Sequence, residues 1–97
     1  MSTFVFVGDF ADIQNPNYNF RRFGQREDMD EQFAQSMVKR NVPLIPGTVF
    51  DALQISPEDL KLYPNAVSHA RAPEDFLKKK QAALEALSQY RESLLAQ

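Results

Sequence analysis

The longest amphipathic pattern in the chain lies in its last quarter. From Pro73 to Gln97, at 100° per residue, Tyr90, Ala83, Phe76, Leu94, Leu87, Leu84, Leu77 and Leu95 fall within an arc of about 140°, wider than a coiled-coil seam. Lys78, Gln81, Glu85, Gln89 and Glu92 occupy the opposite side. Pro73 suits a first helical position, where its missing N–H costs nothing, and Glu74 and Asp75 bring negative charge to the positive end of the helix dipole. The pairs Glu74/Lys78 and Asp75/Lys79 have the favourable i,i+4 order. One helix of roughly 34 Å is predicted, against a radius of gyration of about 12 to 13 Å for a domain of this size. Such a helix spans the domain or projects from it.

Upstream the periods are shorter. Thr3-Phe4-Val5-Phe6-Val7 is apolar on both faces and ends at Gly8-Asp9, the pattern of a covered strand. Asn15-Pro16-Asn17 signals a turn, and Tyr18 to Phe23 is expected to return as the second strand of a hairpin. A helix is expected from about Met29 to Arg40, started by Asp28 and Glu31 in capping-box spacing, closed by Lys39 and Arg40, and burying Phe33, Ala34, Met37 and Val38. Pro43 and Pro46 bracket Leu44 and Ile45 in an extended connector. Thr48 is expected to cap a short turn with Phe50 and Leu53 inward, and Ser56-Pro57-Glu58-Asp59 to open a further short helix ending by Pro64. Asn65 to Ala72 reads as a connector. The fold class expected is α+β and helix-dominant: a short N-terminal β-hairpin, two or three short helices and one long C-terminal amphipathic helix.

Ninety-seven residues, 43% hydrophobic and 25% charged, fit a single small domain over 1–97 with a modest core. The absence of cysteine removes disulfides and thiolate metal sites, so stability comes from packing or assembly. The N-terminus lacks the basic segment and apolar run of a signal peptide, and no stretch approaches the 18 to 20 or so apolar residues that span a bilayer. A soluble protein, cytoplasmic when synthesised and without a membrane partner, is expected. The net charge of −2 argues against nucleic-acid binding driven by overall charge, although residues 61–97 are mildly basic, six cations against four acids.

No motif assembles a reaction centre. Val5-Phe6-Val7-Gly8-Asp9 resembles a strand end that presents a metal-binding carboxylate, but a hard metal needs several converging oxygens, so Asp9 reads as a turn cap and Asp12 as a solvated carboxylate. His69, the one histidine, is adjacent in sequence to Ser68, and a nucleophile and its base come from separate elements aimed at each other. The glycines Gly8, Gly24 and Gly47 stand far apart and form no phosphate loop. The expectation is no enzyme, no cofactor and no metal.

Two surfaces remain as candidates. The first is the final helix, with Phe76, Leu77, Lys80, Leu84, Leu87, Tyr90, Arg91 and Leu94 as a protein interface. Lys80 and Arg91 inside its apolar stripe have two readings: core-helix cations that lift their charges to solvent, or cations that meet acidic groups of a partner. The second is Tyr18, Phe20, Arg21, Arg22 and Arg26, aromatics interleaved with arginines as on single-strand-binding surfaces. Its structural reading is an edge strand shielded by outward arginines that pair with acids such as Glu27 and Asp28.

Phe4-Val5-Phe6-Val7-Gly8, Phe20-Arg21-Arg22-Phe23-Gly24, the helix around Phe33, Ala34 and Met37, and Val42-Pro43-Leu44-Ile45-Pro46 follow one another in an order that resembles small proteins from tailed-bacteriophage structural-gene clusters. The resemblance covers roughly residues 3–60 as a pattern of hydrophobic and turn positions. It implies a virion accessory role, as a decoration, head-completion or head-to-tail adaptor protein, and a virion location. The function expected is therefore a noncatalytic interaction and assembly component, with a protein partner or homo-oligomer. The alternatives are a nucleic-acid-binding module using the Tyr18–Arg26 segment or a small inhibitor of a host enzyme.

Overall fold

A computed structural model of the protein describes residues 1–8, 22–64 and 66–97, with the backbone alone for 66 and 67. In chain order the elements are β1 (Ser2–Phe6), β2 (Arg26–Met29), α1 (Glu31–Lys39), β3 (Leu44–Pro46), α2 (Gly47–Ala52), α3 (Pro57–Leu62), α4 (Ala66–His69) and α5 (Glu74–Leu95). The fold is α+β and helix-dominant, with the long C-terminal helix predicted from its periodicity.

β1 is central in an antiparallel sheet of order β2-β1-β3. That position explains its uninterrupted apolar run: Phe4, Val5, Phe6 and Val7 are all buried, since neither face of a covered central strand meets water. Thr3 pairs with Asp28 and Val5 with Arg26 on one side, and Val5 pairs with Ile45 on the other. The ladder continues past the strands, with Phe6 N–H donating to Gln25 O at 2.9 Å and Val7 N–H to Pro43 O at 2.9 Å.

The return strand differs from expectation. Residues 18–21 of the predicted strand lie outside the described residues, and Phe23 and Gly24 form a turn; the strand beside β1 is Arg26–Met29. Gly24 makes that turn at φ +85°, and its N–H donates to Phe6 O at 2.7 Å. Leu44–Pro46, expected as a connector, is the third strand: Leu44 and Ile45 are buried, and Pro46 sits at an outer strand where its missing N–H is tolerated.

Asp28 is consequently in the sheet, where its carboxylate accepts the Thr3 hydroxyl at 2.6 Å, and the α1 cap passes to Asp30, which accepts from Phe33 N–H at 3.1 Å. α1 buries Ala34, Met37 and Val38, while Phe33, at the margin of that arc, is half exposed. The helix closes in a Schellman motif. Asn41, at φ 70°, donates to Val38 O at 3.1 Å, and Val42 donates to Met37 O at 3.0 Å.

α2 begins at Gly47, so Thr48 lies inside the helix and Pro46 holds the cap position without a side-chain bond; Phe50 is buried and Leu53 half-buried. α3 follows its predicted start, Ser56 accepting from Asp59 N–H at 3.1 Å with Pro57 in the first turn. The expected connector before α5 contains the short α4. Pro73, expected as the first helical residue, is the N-cap of α5, so the helix begins one residue later, at Glu74.

α5 buries Phe76, Ala83, Leu87 and Leu94, a series running from its first turn to its last. Its 22 residues extend ~33 Å and bury side chains at both ends and between, so the helix lies along the body over that length. One apolar cluster joins β1, β3, α1, α2 and α5.

Candidate functional site

The stripe of α5 divides into three strips. Its core strip, Phe76, Ala83, Leu87 and Leu94, covers about 40° of helix angle and is buried. On one margin Tyr90 is half-buried beside α1. Burial pushes its phenol above the ordinary 10.0, the Glu31 carboxylate pushes in the same direction, and a side-chain hydrogen bond with Gln35 pulls it back.

On the other margin Leu77, Leu84 and Leu95 align within about 20° of helix angle, spaced by seven and then eleven residues. Leu84 is half-buried, whereas Leu77 is 39% and Leu95 60% exposed. The predicted stripe of about 140° is therefore wider than the surface that the described residues cover. Leu95 completes the line; the candidate interface set omitted it although the periodicity places it in the arc.

The cations divide as well. Arg91, half-buried, donates from Nε to Val38 O at 3.1 Å, at the C-terminal end of α1. Lys79, predicted to pair with Asp75, reaches Gln54 O at 2.8 Å, just past the end of α2. Gln54 itself holds φ 57°, the left-handed conformation that ends a helix. Arg91 thus meets a carbonyl in the last turn of α1 and Lys79 one just past the end of α2, positions where a cation also complements the helix dipole. Lys80 is half-buried between the core strip and the leucine line. Lys78 forms the predicted pair with Glu74 at 3.6 Å.

In the arginine-aromatic segment, Tyr18, Phe20 and Arg21 lie outside the described residues. Arg22 is exposed beside an open cleft of about 340 Å³ that Lys61, Leu60 and Pro64 also line. Arg26 is engaged within the chain. Its guanidinium forms an ion pair with Asp51 and lies 5.8 Å from the centre of the Phe50 ring, tying β2 to α2, whereas Glu27 and Asp28 were the acids expected to pair with it. Phe23, the last residue of the expected second strand, is buried edge-on to Phe50, His69 and Phe76, at centroid distances of 6.1, 5.2 and 5.9 Å.

His69 is 4% exposed. Its Nε2–H donates to Tyr63 O at 2.8 Å, and the Phe76 ring lies 5.1 Å away. The ring holds α4 against the start of α5, a packing role. Among the described residues no three acids, histidines or cysteines gather in a metal-ligating group, and no helix is long and apolar enough to cross a membrane. A second open cleft, about 510 Å³, is lined by Ser2, Thr3, Phe4, Arg26, Glu31, Pro46, Gly47, Thr48 and Asp51. No family model matches this sequence, and neither a curated protein nor a solved structure matches it.

Proposed function

We propose that this chain is a noncatalytic protein-interaction and assembly component that docks through the uncovered margin of α5. The observation that carries this reading is the line Leu77, Leu84, Leu95. Its end residues remain exposed although the same helix buries Phe76, Ala83, Leu87 and Leu94 on the body of the chain. An apolar line beside a packed stripe suits the ridge of another helix, and covering it would remove leucine surface worth roughly 25 cal/mol per Å². Lys80 and Glu92 flank the line and supply charge at its rim, where charge sets orientation more than affinity. The finer reading is a virion accessory protein, supported by the pattern of residues 3–60 that resembles tailed-phage structural proteins.

Light scattering and partner capture test the docking surface with the double variant Leu77→Lys, Leu95→Lys. Both positions are exposed, so circular dichroism and the unfolding midpoint should stay near the parent's while self-association or partner binding is lost. A strictly monomeric parent whose partner complex survives both substitutions would overturn the assignment. Mass spectrometry of purified particles tests the finer reading separately: its absence from them removes the virion role and leaves the docking surface standing.

A further inference from the structure

We draw no further inference here: the strongest candidate, the cleft of about 510 Å³ between β1, Arg26 and the start of α2, carries nothing because the Arg26–Asp51 ion pair at its wall is satisfied within the chain and nothing in the structure shows what covers it.

Discussion

Arg91 Nε donates to the carbonyl oxygen of Val38 at 3.1 Å, the same oxygen that accepts the N–H of Asn41 where α1 ends. A carbonyl has two lone pairs, and here the Schellman turn fills one and a side chain from 53 residues away fills the other. The sequence left two readings for this cation, a charge lifted to solvent from a core helix or a contact with a partner; in the structure it meets the end of a helix of its own chain.

Replacing Arg91 by Met keeps most of the stem and removes the charged donor. A charge-assisted hydrogen bond is worth up to about 3 kcal/mol when shielded, and this one is half-exposed, so a loss of about 1–2 kcal/mol is expected in urea unfolding. Lys80 meets no such carbonyl among the described residues, and Lys80→Met should change stability by about 0.5 kcal/mol or less. Equal effects at the two positions would show that the Val38 contact contributes nothing.

Gly24 combines a left-handed φ of +85° with close approach, because a Cβ there would lie 2.6 Å from Leu60 Cδ2. Gly24→Ala should cost about 2 kcal/mol or more, part from the backbone and part from the clash. In a Leu60→Ala background the clash disappears and the increment should fall to about 1–2 kcal/mol, a coupling readable by a double-mutant cycle. Strict additivity would contradict the contact.

His69→Ala removes a buried ring and the donor to Tyr63 O, and should lower stability by about 2–4 kcal/mol. Nuclear magnetic resonance supplies a second readout. The ring protons of Phe23 and Phe76, which lie against the imidazole, should shift, while those of the half-exposed Phe33 stay in place.

Tyr90 makes an alkaline prediction with a definite sign. Its folded pKa lies above the unfolded 10.0, so the folded state holds the phenolic proton more tightly. The contribution to stability is fully present below pH 10 and is lost as pH rises through the folded pKa. Spectrophotometric titration with Tyr18 and Tyr63 replaced by Phe isolates the group. Glu31→Gln should lower the midpoint by removing a repulsive charge, and Gln35→Ala should raise it by removing a hydrogen bond that favours the phenolate. Movement in the reverse directions would contradict the arrangement at the α1–α5 contact.

Much of the fold is legible in local pattern. The double-sided apolar run of β1 announced a covered strand, Ser56 and Pro57 marked the start of α3, and the stripe of α5 marked the residues that reach the core. The exposed leucine margin of α5 was half legible: periodicity placed Leu77, Leu84 and Leu95 on the stripe, but periodicity carries no information on how wide a surface the rest of the chain will cover. Arg26-Glu27-Asp28-Met29 carries no strand period, and Leu44-Ile45-Pro46 between prolines reads as a connector, because both become strands only through hydrogen bonds to β1.

The sequence by itself determined the fold class, a covered N-terminal strand and the long helix with its faces, since each depends on neighbours within a few turns or alternations. Tertiary structure alone decided which strands flank β1, that Asp30 rather than Asp28 caps α1, and that Arg91 and Lys79 end on the carbonyls of α1 and α2. The strand pairs and the two cation contacts join residues far apart in sequence, and the cap falls to Asp30 because the distant Thr3 draws Asp28 into the sheet. Whether a cation in an apolar stripe meets solvent, a partner or its own chain is set by the acceptor that packing brings within about 3 Å of it.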